Sequence, residues 1–277
     1  MILITGVTGT VGREVATQLA AEHPTRLMAR NPDRTTVPHT EKAQADYNDQ
    51  RSLRRALQGV RAAFLVTNHP TEPHDERFLE AAAAEGVAHI VKLSAAVVAD
   101  ETDDFITQRQ RAIEQAVRTA GMTWTLLRPR AFMSNTLAWA QGIRSADTVS
   151  AQYGDAPNAP VDPRDVARTA ARALTEEGHE NKTYTLTGPE RLTPRDQTRI
   201  LSEVLSRPLH FREQTHEEAK AHLTHRFPPP VAEALLQRSA LQSTGGKSLQ
   251  GNTPPDPTGR PPTTYGTWAK DHAHLFA

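Results

Sequence analysis

The chain begins Met1-Ile-Leu-Ile-Thr-Gly-Val-Thr-Gly-Thr-Val-Gly12, which is the most informative stretch of its sequence. The first five residues predict a short apolar strand, and residues 13–22 predict a helix. Three glycines fill the turn between these two elements. This order of strand, glycine-rich turn and helix is typical of proteins that bind a dinucleotide.

Each glycine of the turn has its own physical role. Gly6 allows the tight turn, Gly9 allows a phosphate to approach the backbone, and Gly12 allows the helix to lie close to the strand. The N–H groups of the first helical turn would then face the phosphates. A tight strand-to-helix turn that binds nothing is the alternative. The predicted phosphate-binding residues are Gly6, Thr8, Gly9, Val11 and Gly12.

The composition excludes several classes of protein. The 277 residues suffice for one large or two small domains. Basic and acidic residues balance at 32 each, so charge favours neither nucleic acid nor an anionic membrane as a partner. No cysteine is present, which excludes disulfides and thiol chemistry. Without a signal peptide or a long apolar run, we expect a cytoplasmic monomer or homodimer.

Strand and helix patterns alternate through the first half of the chain. Repeated strand–helix–strand units imply a parallel sheet that is covered by helices on both faces. We therefore predict an α/β protein with a Rossmann-type doubly wound parallel sheet in residues 1–150, to which a segment near residues 160–188 returns. Residues 189–277 should form a smaller, mostly helical cap that binds the substrate. In this cap we expect Pro228 to Pro230 to interrupt regular structure and residues 242–257 to be mobile.

Ligands on such sheets bind beyond the carboxyl ends of the strands. Arg30 follows the second strand, about where NAD enzymes carry an acid that binds the ribose 2′-OH, and Arg34 is nearby. A guanidinium group suits a 2′-phosphate instead, because it donates two charge-assisted hydrogen bonds. NADP(H) is therefore favoured over NAD(H). A solvated basic loop is the alternative.

Further candidates follow the later strands. Asp46 follows the third strand, where a carboxylate often accepts from the adenine amino group, although a loop or helix cap fits nearly as well. Thr67 and Asn68 end the fourth strand and should pass near the ribose and phosphates of the cofactor. Ser94 ends the fifth strand. Lys92 lies within that strand, and a solvated lysine at the strand end is its simpler interpretation.

Several longer motifs follow in one order along the chain. They are Ala45-Asp-Tyr47, Lys92-Leu-Ser-Ala95, Trp124-Thr-Leu-Leu-Arg-Pro129 with Phe132 and Asn135, Val161-Asp-x-Arg-Asp-Val-Ala167, Tyr184-x-Leu-Thr-Gly-Pro-Glu190, and Gly259-Arg-Pro-Pro262 with Trp268 and His272. Together with the glycine pattern, they resemble the extended and atypical short-chain dehydrogenase/reductases, and within these the NmrA-like NAD(P)-binding proteins. The later motifs are most similar to a bacterial branch near the ergot-alkaloid iminium reductases.

The resemblance implies a position for the substrate. In the relatives, the turn that corresponds to Arg128–Phe132 lies against the nicotinamide ring. Pro129 would then contact the cofactor, and Phe132, Asn135 and Tyr153 would line the substrate pocket. Packing of Pro129 and Phe132 at the strand end is an equally good interpretation. No metal site is expected, because the spaced histidines of residues 216–225 fit a solvated surface.

The catalytic pair of the well-known short-chain dehydrogenases is missing. Those enzymes use a serine with a tyrosine and a lysine that lie four residues apart on one helix. The corresponding helix here reads Phe105-Ile-Thr-Gln-Arg-Gln-Arg-Ala-Ile-Glu114, with Gln110 where many NmrA-like relatives carry histidine or lysine. Ser94 remains as a candidate catalytic serine, although a serine hydroxyl alone is a poor acid.

Three interpretations of the chemistry stay open, besides a redox-neutral reaction on the same scaffold. The protein could reduce an iminium or another electrophilic carbon that accepts hydride without a strong proton donor. Tyr153, a histidine of the cap or a water molecule could instead supply the proton. The chain could also bind NADP(H) without turnover as a redox-sensing regulator, or catalyse a redox-neutral isomerisation or cyclisation. We expect NADPH-dependent reduction of a small imine, carbonyl or quinone, as a step of secondary metabolism.

Overall fold

The computed structural model describes residues 1–67, 69–100, 102–245, 251–253 and 260–277. In this part of the chain the strands are β1 (Ile2–Ile4), β2 (Thr25–Ala29), β3 (Glu41–Gln44), β4 (Ala62–Leu65), β5 (His89–Leu93), β6 (Thr123–Pro129), β7 (Thr148–Ala151), β8 (Lys182–Leu186) and β9 (His210–Glu213). The helices of the same residues are α1 (Thr10–Leu19), α2 (Gln50–Leu57), α3 (His74–Ala84), α4 (Phe105–Thr119), α5 (Ala140–Ala146), α6 (Pro163–Thr175), α7 (Pro194–Leu205), α8 (His216–Arg226), α9 (Pro229–Ser243) and α10 (Tyr265–Asp271).

The main sheet is parallel and has the strand order β3-β2-β1-β4-β5-β6-β8. The order reverses between β1 and β4, as in a dinucleotide-binding fold. The predicted fold class is therefore confirmed. β7 and β9 form a separate parallel pair beside this sheet. The division into residues 1–150 and 189–277 stays a prediction.

Both faces of the sheet are buried, and alternate residues of one strand serve different cores. Ile2 and Ile4 of β1 pack on one face with α1 and α6. Leu3 packs on the other face with residues of α2 and α3. Because successive side chains of a strand point to opposite faces, a strand covered on both sides must be apolar throughout. This explains the unbroken apolar run at the start of the chain.

A third hydrophobic core, separate from the two on the faces of the sheet, lies between α7, α10 and the segment that follows β6. Tyr265 and Trp268 of α10 are buried against Met133, Ile143 and residues of α7. The Tyr265 hydroxyl donates to Thr136 Oγ1 at 3.1 Å, and burial raises the pKa of this tyrosine. The last described residues of the chain therefore pack against the segment that follows β6.

The proline-rich part of the cap differs from its prediction. α8 ends at Arg226 and α9 begins at Pro229, so residues 227 and 228 alone separate two helices. Proline is tolerated in the first turn of a helix, where its missing N–H has no partner to lose. The predicted interruption is therefore present at residues 227 and 228, whereas Pro229 and Pro230 begin the next helix, a role that the sequence argument did not assign to them.

The segment predicted to be mobile is only partly described. Gln242 lies in the last turn of α9 and its side chain bonds to Asn158 and to the carbonyl of Ala156. Residues 246–250 and 254–259, which include Gly259 of the last motif, lie outside the described residues. Across the described ranges, no helix is both long enough and apolar enough to span a bilayer.

Candidate active site

The glycine turn is shaped as a cradle for a diphosphate. Gly6 has a φ of +65°, and a Cβ there would lie 2.8 Å from the Cβ of Val66. A Cβ on Gly12 would collide with the Gly6 carbonyl and lie 2.7 Å from the Thr5 carbonyl oxygen. A Cβ on Gly9 would meet only the Gly6 carbonyl oxygen, at 3.2 Å. The turn therefore packs tightly on its inner side and is open at Gly9.

The N-terminus of α1 carries no side-chain cap. Gly9 precedes this helix, whereas side chains of Asp49, Asp104 and Asp162 cap α2, α4 and α6. The first N–H groups of a helix need an acceptor and lie at the positive end of its dipole. At α1 these groups remain for an anion, which fits the predicted phosphate site at the exposed residues Thr8 and Gly9.

Three arginines lie along this edge of the sheet. Arg30 and Arg34 are exposed, and their guanidinium groups form no hydrogen bond or ion pair with any described residue. Arg13, in the first turn of α1, is exposed and unpaired in the same way. The sequence argument missed Arg13, although it is the first basic residue after the glycine turn. All three side chains are available for a phosphate.

Asp46 adopts a turn geometry. One of its carboxylate oxygens accepts from the Asn48 N–H at 2.8 Å, and its own N–H donates to Ser52 Oγ. The loop interpretation therefore has a structural basis. The second carboxylate oxygen is left for a ligand, so the contact with adenine stays a prediction.

Lys92 is part of a buried polar cluster. Its side chain is 1% exposed, and Nζ lies 2.8 Å from Asp75 Oδ1. Lys92 also donates to Thr67 Oγ1 at 3.0 Å, and Thr67 donates to Asp75 Oδ2 at 2.6 Å. The interpretation of Lys92 as a solvated lysine was therefore wrong. The sequence argument missed Asp75, because its partner lies on another element.

This cluster fixes the end of β4. The Thr67 hydroxyl donates to one member of the ion pair and accepts from the other, so its proton is not available to a ligand. Its oxygen keeps one acceptor site, so the contact of Thr67 with the cofactor stays a prediction. Asn68, the next predicted contact, lies outside the described residues.

The Ser94 hydroxyl is committed to a carboxylate. It donates to Glu114 Oε1 at 2.6 Å. The Arg128 guanidinium binds the same carboxylate, with Nε at 2.7 Å, and Glu114 is 3% exposed. A carboxylate held by arginine keeps the serine proton directed at it. This geometry argues against Ser94 as a proton donor and leaves its oxygen as an acceptor for a ligand.

Gln110 lies one helical turn before Glu114 on α4. Its Oε1 is buried and has no hydrogen-bond partner among the described residues. A buried free acceptor is unusual in a folded protein and often marks a place where a ligand completes the pairing. No tyrosine or lysine occurs between Phe105 and Glu114, so α4 supplies neither the proton donor nor its basic partner.

Phe132, Asn135 and Tyr153, the three predicted substrate residues, line one cavity of about 320 Å³. We call it the central cavity. Pro129 is buried at the end of β6, three residues before Phe132. The structure thus brings these positions together, and their contacts with substrate stay predictions. The central cavity is lined by Ala131, Phe132, Asn135, Thr136, Trp139, Gln152, Tyr153, Ala156, Asn158, Pro160, Leu192, Pro194, Gln197, Ser239 and Gln242.

The lining of the central cavity is polar but uncharged. It contains five side-chain amides and no acidic or basic residue among those named above. Tyr153 has a φ of +52°, which is rare for a residue with a side chain. The N–H of the following Gly154 donates to the Glu213 carboxylate at 3.1 Å. The backbone is thus held in the conformation that places Tyr153 in the cavity wall.

A buried ionic network attaches α9 to the segments that follow β5 and β6. Arg238 of α9 donates to Asp104 Oδ2 at 2.7 Å and pairs with Asp100 at 3.3 Å. Asp100 also binds Arg130 at 2.8 Å. Burial opposes the charge of Asp104, but hydrogen bonds from Thr107 and the nearby Arg238 lower its pKa overall. The network holds α9 in place, and the next residues of this helix line the central cavity.

Comparison with known proteins agrees with this site. Residues 6–177 match a family described as NAD(P)H-binding. The chain belongs to this family, in its NmrA-like atypical short-chain dehydrogenase/reductase branch. It is 55% identical to a (4-alkanoyl-5-oxo-2,5-dihydrofuran-3-yl)methyl phosphate reductase of Streptomyces griseus, over 100% of this chain and 99% of the relative.

Two solved structures have the same fold over almost the whole chain. An NADPH-dependent quinone oxidoreductase of Escherichia coli, in complex with NADPH, has a TM-score of 0.84, 27% identity and 100% coverage of both chains. A triphenylmethane reductase of Citrobacter with NADP(H) has a TM-score of 0.83 and 26% identity, and covers 98% of this chain and 99% of its own. The protein is an NAD(P)H-dependent reductase of the atypical short-chain dehydrogenase/reductase type.

Proposed function

We propose that the protein uses NADPH to reduce the ring C=C bond of an acylated butenolide phosphate. Such a substrate is a five-membered unsaturated lactone. One carbon of its double bond carries an acyl group, and the other carries a phosphorylated hydroxymethyl group (the phosphomethyl group). The observation that carries this proposal is the Ser94–Glu114 hydrogen bond, because it leaves the candidate catalytic serine without a proton to give. The 55% identical relative, whose name describes a substrate of this kind, supports the same choice.

The chemistry of such a ring suits a site without a strong acid. The cofactor supplies a hydride, and the ring carbon that bears the phosphomethyl group accepts it. The electron pair of the C=C bond then moves to the neighbouring carbon, which lies between the lactone carbonyl and the acyl ketone. An enolate spread over two carbonyl groups is stable enough to take its proton from water. A general acid is therefore unnecessary, unlike in the reduction of a simple ketone.

The residues of the chain hold and orient the reactants. Amide groups of Asn135 and Gln197 in the central cavity can donate hydrogen bonds to the two carbonyl oxygens as charge develops there. Phe132 and Trp139 supply apolar surface that positions the ring. The Ser94 oxygen, as an acceptor, can hold an N–H or O–H group of the cofactor.

The unpaired arginines support NADPH as the preferred cofactor. Arg13, Arg30 and Arg34 are exposed at the edge where a 2′-phosphate would lie. A guanidinium group that has no protein partner loses no ion pair when it binds this phosphate. The glycine cradle at Gly6 to Gly12 would hold the diphosphate of either nicotinamide cofactor.

Turnover of a matched set of lactones tests the proposal. The wild-type protein should oxidise NADPH with (4-hexanoyl-5-oxo-2,5-dihydrofuran-3-yl)methyl phosphate, and the product should gain two hydrogens by mass spectrometry. The same lactone without its acyl group should react slower by about 100-fold or more, because its enolate has one carbonyl group and needs an acid. Equal rates for the two lactones would contradict the argument from double activation.

Two variants test where the proton comes from. Ser94→Ala and Tyr153→Phe should each keep kcat within about tenfold of wild type, since a general acid contributes about 100-fold or more. A larger loss of kcat for Tyr153→Phe, with an unchanged melting temperature, would assign the proton to that residue instead.

A further inference from the structure

The central cavity shares lining residues with two larger cavities. Tyr153 lines both the central cavity and a cavity of about 510 Å³ between α8 and α9, which we call the α8–α9 cavity. Trp139, Gln152 and Ser239 line both the central cavity and another of about 570 Å³, which we call the α5–α8 cavity. A substrate with two arms on one ring could therefore extend in two directions.

The two outer cavities differ in their chemistry. The α8–α9 cavity is lined by Lys220 and His216, which lie four residues apart on α8 and so share one face of this helix. Both side chains are exposed, and neither forms a hydrogen bond or ion pair with a described residue. Thr224 continues the same face one turn later. The uncharged central cavity has nothing comparable for an anion.

The acidic groups near Lys220 are engaged elsewhere or stand apart. Glu233 of α9 lines the same cavity and accepts from Gln237 Nε2 at 3.4 Å, without an ion pair to Lys220. Glu218 of α8 pairs with Arg212 at 2.8 Å. Lys220 is therefore a lysine in a cavity wall without a counter-ion in the described part of the chain.

The α5–α8 cavity suits the other arm. Its lining includes Trp139, Gly142, Ala219 and Leu223 beside polar, mostly uncharged side chains. An alkyl chain that leaves water for such surface gains affinity with each CH₂ group that it buries. A phosphate would gain less there, because His222 is the one basic residue of its described lining.

We propose that Lys220 and His216 form a phosphate subsite that binds the phosphomethyl arm of the substrate, while the acyl chain extends into the α5–α8 cavity. This assignment rests on the proposed function. A phosphate monoester carries a charge of about −1.5 to −2 at neutral pH, which suits the point charge of a lysine. Tyr153, which lines both the central cavity and the α8–α9 cavity, would lie beside the CH₂–O linker that joins the ring to the phosphate. Such a remote anchor positions the reacting carbon without taking part in the chemistry.

Binding and turnover of two ligands test this subsite. The ligands are (4-hexanoyl-5-oxo-2,5-dihydrofuran-3-yl)methyl phosphate and the corresponding alcohol, which lacks the phosphate. Calorimetry on protein saturated with NADP⁺ gives dissociation constants without turnover, and NADPH oxidation gives KM and kcat. Lys220→Met should weaken binding of the phosphate ester and raise its KM by about 10- to 100-fold, the effect of one hydrogen bond to a charged group. Both constants for the alcohol should stay the same.

Lys270→Met is the matched control, because Lys270 is an exposed lysine of α10 that is absent from the linings given above. It should leave all constants unchanged. Equal loss for both ligands in Lys220→Met, or equal affinity of the wild type for both, would overturn the subsite. Binding that depends on Lys220 without any NADPH oxidation would instead keep the subsite and reject the proposed reduction.

Discussion

The candidate active site has two parts, the sheet wall at the glycine turn and the cap wall at the central cavity, and they are built by different means. The sheet wall is made of backbone: Gly6, Gly9 and Gly12 shape it through the absence of side chains. The cap wall is made of side chains, and its helix α9 is held to the segment that follows β5 by the charges of Arg238 and Asp100. The inner side of the glycine turn, at Gly6 and Gly12, tolerates no added atom, whereas a charged contact tolerates added atoms but not the loss of a charge. The two walls should therefore fail under different substitutions.

Glycine substitutions in the sheet wall should have the largest effect. Gly9→Val should weaken NADPH binding by about 100-fold or more, because its side chain would occupy the place of a phosphate against the helix N-terminus. The melting temperature should change little, since a Cβ at this position meets one atom at 3.2 Å. Fluorescence titration with NADPH and a thermal melt measure the two effects.

Gly12→Ala separates packing from ligand contact in the same turn. Its Cβ would collide with the Gly6 carbonyl, so both the melting temperature and NADPH binding should fall. If Gly9→Val lowers the melting temperature as much as Gly12→Ala does, the open side of the turn is not where the diphosphate binds.

Loss of a charge in the cap wall should have the second-largest effect. Arg238→Met leaves Asp104 buried without its ionic partner, which should lower the free energy of unfolding by about 3–5 kcal/mol. Urea denaturation measures this loss, and Arg199→Met is the control. Arg199 forms an exposed pair with Glu203, which contributes less than about 0.5 kcal/mol.

The same variant tests whether the walls are independent. Arg238→Met should keep the NADPH dissociation constant within about twofold, because distant sites that share no partner contribute additively. It should raise the KM of the substrate, since α9 lines the central cavity. A comparable loss of NADPH affinity would show that the two walls act as one unit.

The difference between the walls also explains what the sequence could predict. The glycine turn is local, so spacing along twelve residues was sufficient to assign each glycine a role. The network of Arg238 joins residues more than 100 positions apart, and no pattern in either segment indicates the other. Only the folded chain brings them together. The placement of Phe132 and Asn135 at one cavity came from the family resemblance rather than from spacing.

The burial of Lys92 and the position of Pro229 in a helix were not predicted, for a related reason. A lysine in an apolar strand can be buried when an acidic side chain pairs with it. The partner of Lys92 is Asp75, which lies on α3, so the sequence around Lys92 does not indicate it. A proline interrupts a helix in its interior but begins one in its first turn, so Pro229 depends on where the helix starts. In both cases the sequence shows an unusual residue, but the structural effect of that residue depends on neighbours that the local sequence does not show.

Arg30 offers a smaller effect within the sheet wall. Arg30→Ala should weaken NADPH by about 10- to 100-fold, because one charge-assisted contact to the 2′-phosphate is worth about 1.5–3 kcal/mol. The affinity for NADH, which lacks this phosphate, should not change. Arg55→Ala, an exposed arginine on α2, is the control. Equal losses for both cofactors would remove Arg30 from the 2′-phosphate site.

The smallest effect is expected at a site remote from both walls, where pH rather than a ligand is the variable. His89 lies between Thr123 and Thr125, whose hydroxyls donate to the carbonyls of Ala88 and His179. Both hydroxyls can therefore only accept from His89, and a neutral imidazole has one N–H to donate. Protonation would complete both bonds, but burial lowers the pKa of His89 below its usual value of 6.5.

The sign of the pH dependence follows from this lowered pKa. Below about pH 6.5 the unfolded chain binds the proton that folded His89 resists, so the free energy of unfolding falls as the pH falls. One proton limits the slope to about 1.4 kcal/mol per pH unit. Urea denaturation between pH 8 and pH 5 should show a shallower fall for His89→Leu than for wild type, with exposed His225→Leu as the control. A steeper fall in His89→Leu would mean that the folded protein gains more from the second hydrogen bond than burial costs.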